Sequence, residues 1–204
     1  MNLIRRPRRD AASYERMLRR VRQLAAGKTV LEVGAQTGRV AGRIVADAKH
    51  IEAVDPSRAW IAEKKRGNDS TKLHYGVQDA SSLAFADESF DLAVAVNVLE
   101  HAIDPKAALL QMNRVVKSDG TLVAAAFAYA DAKGIAKLRR AVQKHTHLPG
   151  RHEWTREQFE ELLRRCGWEP ERVEVLSGSF PFVVAECKKK EDVPPRDALS
   201  AVKK

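Results

Sequence analysis

The run Thr29 Val30 Leu31 Glu32 Val33 Gly34 Ala35 Gln36 Thr37 Gly38 Arg39 decides how this chain is read. An apolar stretch, broken by one acid near its carboxyl end, passes into a glycine-bearing turn and then into a helical pattern. A buried strand that feeds a turn and a helix in this way is where α/β proteins hold a nucleotide-like cofactor. Gly34 and Gly38 free the backbone to approach a ligand closely. A second acid, Asp55, ends the next apolar run, Ile51 Glu52 Ala53 Val54, roughly 20 residues on. At that spacing a carboxylate at the tip of the neighbouring strand can hold ribose hydroxyls.

Outward from this unit the chain alternates helix and strand. Tyr14, Met17, Leu18, Val21 and Leu24 share one helical stripe over residues 11–26, and Gly27 stops it. Val40, Ala41, Ile44, Val45 and Ala48 form the crossover stripe that leads to Asp55, which makes a right-handed βαβ unit. Ser57 caps a short helix to Arg66, and Leu73 to Val77 is a third strand that exits at Gln78 and Asp79. Phe90 to Val96 is apolar almost throughout, as a central strand covered on both faces should be. Asp104 and Pro105 open a helix with inner residues Ala108, Leu109, Met112, Val115 and Val116, ended by Ser118 Asp119 Gly120, before a fifth strand from Thr121 to Ala128.

Residues 130–150 break the alternation. Asp131 is placed to cap a helix bearing Ile135, Leu138 and Val142, and the segment reads as a lid-like insertion. Thr155 with Gln158 forms a capping box for a helix that closes at Gly167. Arg172 to Leu176 and Pro181 to Cys187 are two last strands, and the link between them is too short for a parallel crossover, so they run antiparallel.

Composition bounds the rest. A chain of 204 residues, 44% hydrophobic, suits one well-buried domain. No apolar run is long enough to span a bilayer, and Met1 to Arg9 lacks the core of a signal peptide, so the cytoplasm is the expected location. The net charge of +9 suggests nucleic acid until it is located. Residues 1–22 carry +6 and residues 188–204 carry +3, whereas residues 23–187 balance 22 basic against 22 acidic side chains. The expected organisation is therefore a basic flexible arm (1–10), one domain (11–187) and a disordered, mixed-charge tail (188–204). Cys166 and Cys187 have no metal-ligand spacing and read as reduced structural thiols.

With these elements in place the chain resembles the class I S-adenosylmethionine-dependent methyltransferases, in particular their type 11 small-molecule group. The resemblance covers about residues 12–187. It rests on Val30 Leu31 Glu32 Val33 Gly34 Ala35 Gln36 Thr37 Gly38 Arg39, Val54 Asp55 Pro56 Ser57, Gln78 Asp79 Ala80, Ser89 Phe90 Asp91 Leu92 Ala93 Val94, Val98 Leu99 Glu100 His101 and Val115 to Leu122, all in order. A nicotinamide-dinucleotide fingerprint counted from Gly34 needs glycine at 36 and 39, and the chain has Gln36 and Arg39 there. The methyltransferase pattern expects glycine at 34, 36 and 38 and is missed only at Gln36.

The resemblance implies a Rossmann-like methyltransferase fold of the α/β class: a doubly wound, seven-stranded, mostly parallel sheet with an antiparallel last strand. It further implies S-adenosyl-L-methionine as cofactor and S-adenosyl-L-homocysteine as product. Glu32 is then expected near the cofactor's amino group, Gly34, Ala35, Gln36 and Gly38 around its methionine part, and Asp55, with Pro56 beside it, on the ribose. Asp79 would accept from the adenine amino group with Ala80 beside the ring, and Asn97 would flank the methionine portion. The resemblance also implies that the methyl acceptor is a small molecule that offers oxygen, nitrogen or carbon. His101 is the candidate base, since imidazole exchanges a proton near neutrality, and Glu100 its orienter or alternative.

His145, His147 and His152 lie close together but form no closed zinc pattern, so no metal is expected. Lining of the acceptor pocket, with Arg151 and Trp154, and a solvated loop are the two readings of this stretch. An RNA methyltransferase that uses the Arg-rich arm and a non-catalytic binding module are the alternatives. Against the first, the fourth strand exits into Asn97 Val98 Leu99 Glu100 rather than the Pro-Pro-aromatic run that engages an exocyclic base nitrogen.

Overall fold

Strands β1 (Thr29–Val33), β2 (His50–Asp55), β3 (Leu73–Val77), β4 (Phe90–Val96), β5 (Val116–Phe127), β6 (Trp168–Leu176) and β7 (Phe182–Lys189) pair into one sheet. This is a computed structural model, and it describes residues 8–35, 40–131, 152–177 and 181–190. The strand order is β3-β2-β1-β4-β5-β7-β6. Neighbours from β3 through β5 are parallel, and β7 is antiparallel to both β5 and β6. The doubly wound sheet with an antiparallel last strand is therefore as the sequence reads. Strand order reverses between β1 and β4, and ligands of such sheets bind in the crevice beyond the carboxyl ends at that reversal.

Period-two alternation gives the sheet two buried faces. Leu31, Val33, Ala93, Ala95, Leu122 and Ala124 face helices α4 (Pro105–Val115) and α5 (Arg156–Arg165) through Leu109, Met112, Phe159 and Leu163. Val30, Ile51, Ala53, Leu92, Val94 and Val123 face α1 (Arg8–Ala25), α2 (Ala41–Ile44) and α3 (Arg58–Arg66) through Met17, Leu18, Val21, Ile44 and Ile61. Asp104 caps α4, Ser57 caps α3, and the reciprocal Thr155–Gln158 box caps α5, as the sequence reads.

Several boundaries differ from the sequence reading, each for a physical reason. Helix α1 begins at Arg8, inside the stretch read as a free arm. Three of its arginines are engaged: Arg20 forks onto both carboxylate oxygens of Glu186 at 2.8 Å, Arg22 pairs with Asp47 at 2.9 Å, and Arg16 pairs with Glu174. Helix α2 spans four residues rather than the stripe out to Ala48. Helix α4 stops at Val115, and Ser118 Asp119 Gly120 belongs to β5. There Val116 pairs with Phe90 and Thr121 with Leu92, so Lys117 to Gly120 form an excursion within the strand. Gly120 fits because a Cβ would meet Val116 Cγ1 and, at 2.9 Å, the Lys117 carbonyl.

Strand β6 starts at Trp168, four residues before Arg172, and includes Pro170 at a register shift. A proline is tolerated because β6 is the sheet's edge. Strand β7 runs on to Lys189, past the expected end at Cys187. Asp131 Oδ2 accepts from the Arg156 amide, the opening of α5. The expected lid helix with Ile135, Leu138 and Val142, the segment 191–204 and residues 1–7 lie outside the described residues.

Trp168 locks α4 to the edge of the sheet. Its indole is fully buried and its Nε1 donates to the Leu109 carbonyl at 3.1 Å, while Asn113 Nδ2 donates to the Gly167 carbonyl at 3.0 Å. Trp168→Ala should therefore lower the unfolding free energy by about 3–5 kcal/mol in urea titrations; a loss under about 1 kcal/mol would mean the site collapses around the cavity without cost.

Candidate active site

A cleft of about 370 Å³ opens where β1, β2 and β4 end, at the reversal of strand order. That volume is within the range of small-molecule and cofactor pockets. Its wall is made by Val33 and Gly34 from β1, Val54 to Ser57 from β2, Gln78 to Ala80 after β3, and Asn97, Val98 and His101 to Ile103 after β4.

The β1 exit is shaped by Gly34. Its φ of +77° belongs to the left-handed region, and its amide and that of Ala35 both donate to the Val54 carbonyl, at 2.9 and 3.0 Å. This folds the chain across the tip of β2. A Cβ on Gly34 would lie 2.5 Å from Val98 Cγ2 and 2.7 Å from Val98 Cβ, so only glycine lets the two strand exits close on each other. Ala35 is buried beneath, packed toward α1 and α2. Gln36 and Gly38 lie outside the described residues.

Glu32 does not line the cleft. It is 5% exposed, and its Oε2 accepts from the Ala41 amide at 2.8 Å, so the carboxylate sits at the start of α2, where Val40 offers no side-chain cap. Burial pushes its pKa up to about 7 against the pull of the Ala41 and Val40 amides; nearby Asp55 adds to the rise and Lys64 opposes it. A carboxylate at this helix start occupies the place where a dinucleotide fold would receive a pyrophosphate.

Asp55 lines the cleft from the tip of β2, nearly buried, with Oδ1 accepting from the Ser57 amide at 2.9 Å. Asp79, exposed, lines the same cleft from the turn after β3. Asp79 Oδ1 accepts from both the amide and the hydroxyl of Ser81, at 2.8 and 2.7 Å, and these bonds hold its carboxyl below the ordinary range. Pro56 and Ala80 complete the two exits. Among the described lining residues there are two carboxylates and neither a lysine nor an arginine. A polyhydroxyl or cationic ligand suits that lining better than a polyphosphate.

After β4 the backbone is strained at the site. Asn97 has φ +54°, its amide donates to the Ala125 carbonyl, and its buried Oδ1 has no hydrogen-bond partner among the described residues. Buried acceptors without partners are uncommon and concentrate where ligands bind. The next turn, Leu99–His101, separates the two residues paired as catalytic candidates. His101 is exposed and lines the cleft, whereas Glu100 is 2% exposed and enclosed in the wall. Glu100 Oε2 has no partner among the described residues, so this oxygen does not orient His101. Burial pushes the Glu100 carboxyl up to about 7.

His152 and Trp154 do not line this cleft. The His152 amide donates to the Glu100 carbonyl at 3.2 Å, its Nε2 donates to the Ala102 carbonyl at 3.1 Å, and its ring stacks on Trp154 at 5.5 Å. They brace the turn that carries His101. His145, His147 and Arg151 lie outside the described residues. Both cysteines are buried, and burial raises both thiols, Cys166 to about 12, which removes them as nucleophiles. Sequence reasoning missed Val98, Gln78, Ala102 and Ile103 as lining residues. Only their places just after strand ends could have marked them.

Comparison with known proteins matches residues 31–124, from β1 into β5, to a family described as a methyltransferase domain. An O-methyltransferase, resE, of Aspergillus sclerotiorum is 30% identical over 167 residues, 76% of this chain and 61% of that protein. A demethylmenaquinone methyltransferase of Renibacterium salmoninarum is 35% identical over 103 residues, 50% of this chain and 43% of that protein, so the chain spans less than half the length of that relative. Among solved structures, the 1,6-didemethyltoxoflavin-N1-methyltransferase of Burkholderia thailandensis, with 1,6-didemethyltoxoflavin and S-adenosylhomocysteine bound, superposes with a TM-score of 0.65 at 18% identity, over 90% of this chain and 82% of that one. The segment from β1 into β5 is thus similar in sequence to a methyltransferase domain, and the seven-stranded sheet of this order has the fold of the class I S-adenosylmethionine-dependent methyltransferases.

Proposed function

We propose that the cleft binds S-adenosyl-L-methionine and that the protein transfers its methyl group to an oxygen, nitrogen or carbon of a small-molecule acceptor, leaving S-adenosyl-L-homocysteine. The observation that carries this reading is the lining itself: an Asp at the tip of β2, an Asp after β3 and a glycine-closed β1 exit in one cavity. The residues present fit the cofactor. Asp55 offers a carboxylate that accepts two hydroxyl hydrogen bonds at once. Asp79 offers an acceptor for a purine amino group, and the orphaned Asn97 Oδ1 one for the cationic amino-acid end.

Bound there, the cofactor supplies a methyl group already activated by the sulfonium charge. The chain's own work is then to orient. Gly34, Val98 and Asn97 shape one wall, Asp55 and Asp79 anchor the far side, and His101 stands at the mouth to take a proton from an acceptor that must lose one. Ile103, 77% exposed beside His101, offers that acceptor an apolar lip. Among the described residues, the pairing of Arg16, Arg20 and Arg22 with acidic side chains supports a small acceptor over a nucleic acid.

Calorimetry and turnover assays test the roles separately. Asp55→Ala should weaken S-adenosylmethionine binding by about 100-fold or more, the loss of two charge-assisted hydrogen bonds. His101→Ala should leave that affinity within a few fold and slow turnover by about 10²–10⁴. Absence of binding to the unaltered protein at millimolar cofactor would overturn the proposal, and the reverse pattern in the two variants would overturn both roles.

Glu100 gives a pH prediction. Its pKa is about 7 in the folded protein against an ordinary 4.5, so the folded state binds its proton more tightly than the unfolded state. Its contribution to stability is present below about 4.5 and is lost as pH rises through about 7. Glu100→Gln should accordingly exceed the unaltered protein in stability by about 1–3 kcal/mol at pH 8 and by little at pH 5. Urea titrations at the two pH values check this, and a difference independent of pH would contradict the buried charge.

A further inference from the structure

We propose that His50, Glu52 and His74 form a binding site for a divalent transition-metal ion of the zinc class, on the β2–β3 edge of the sheet and outside the cofactor cleft. His50 and Glu52 are two residues apart on β2, so their side chains share a face, and Glu52 stands directly across from His74 on β3. The three converge. Glu52 Oε1 lies 2.8 Å from His50 Nε2 and 3.2 Å from His74 Nδ1, and the three ligand atoms all fall within 4.8 Å of one another. The imidazole rings meet edge to face at 4.8 Å between centroids.

This geometry suits an ion. Ligand atoms about 2.0–2.1 Å from a tetrahedral zinc are about 3.3–3.4 Å apart, so on binding the His50–Glu52 contact opens by about half an ångström, the Glu52–His74 contact by about one or two tenths, and the widest pair, within 4.8 Å, draws in by rotation of partly exposed side chains. The paired backbones of β2 and β3 hold all three Cβ positions in register, which leaves little ordering to be done on binding. Two imidazole nitrogens and one carboxylate are a zinc, nickel or copper donor set; magnesium and calcium favour oxygen alone. The side chains are 30%, 23% and 59% exposed in the order His50, Glu52, His74, so an ion can enter and water can complete its coordination.

The site is separate from the cleft. Asp55 lies five residues beyond His50 and three beyond Glu52 along β2, about 16 and 10 Å at strand rise, and Ile51 and Ala53 are packed on the opposite face under the helices. No sequence motif marks the set, because only the parallel register of β2 and β3 brings His74 to residues 22 and 24 positions earlier.

The test is titration of the tag-free full chain with Zn²⁺ and Co²⁺, followed by calorimetry and thermal unfolding. One ion should bind at this site, and a metal concentration about 100-fold above the dissociation constant should raise the thermal midpoint by about 5–10 °C. His50→Ala and His74→Ala should each weaken binding by about tenfold or more, with a single cooperative unfolding transition retained. The double substitution His145→Ala, His147→Ala should leave this binding unchanged. Unaltered affinity in the His50 and His74 variants, loss of binding in the His145/His147 variant, or no binding at millimolar metal would each overturn the site.

Discussion

The cleft depends on the closeness of two strand exits. Gly34, at φ +77°, bends the chain from β1 over the tip of β2, and Val98, just after β4, occupies the space a Cβ at position 34 would need. Backbone bonds from Gly34 and Ala35 to Val54 fix the bend on one side, and Asn97, bonded to Ala125, fixes the other. Because β1 lies between β2 and β4 in the sheet, this contact sets the distance from Asp55 to the Asn97 and His101 turn, and with it the shape of the cavity.

Two buried glutamates show where the fold accepts destabilisation. Glu32 and Glu100 both have pKa values pushed up to about 7 by burial. Glu32 is compensated by amides at the start of α2 and thereby links the β1 exit to the helix behind it. Glu100 keeps one oxygen without a partner among the described residues, as does Asn97 at its Oδ1, three residues earlier in the chain. Such groups cost stability unless something else makes use of them, and here both lie on the segment that carries His101.

The sheet was legible because its signals are local and mutually consistent: continuous apolar runs for the central strands, caps at Ser57, Asp104 and Thr155, and a link after Leu176 too short for a crossover. The misread points are those where tertiary packing overrides turn chemistry. Ser118 Asp119 Gly120 has the composition of a helix stop, yet Phe90 draws Val116 into the sheet first. Pro170 argues against a strand, and edge position permits one. In the site, Asp55, Asp79 and Asn97 were readable because each is a polar residue at the end of an apolar run. Val98 was not, since its role is to fill the space that Gly34 leaves. Nor was the split of His101 from Glu100, which follows from the short turn at Leu99 to His101 that sends adjacent side chains to opposite sides.

The central claim, that the Gly34–Val98 approach builds the cofactor site, is tested most directly by measuring S-adenosylhomocysteine affinity in Gly34→Ala, Val98→Ala and the double variant. Gly34→Ala should weaken binding by about tenfold or more, and Val98→Ala in the same chain should recover part of that loss by restoring space, leaving the strain of a positive φ at alanine. Wild-type affinity in Gly34→Ala, or losses that simply add in the double variant, would contradict the account.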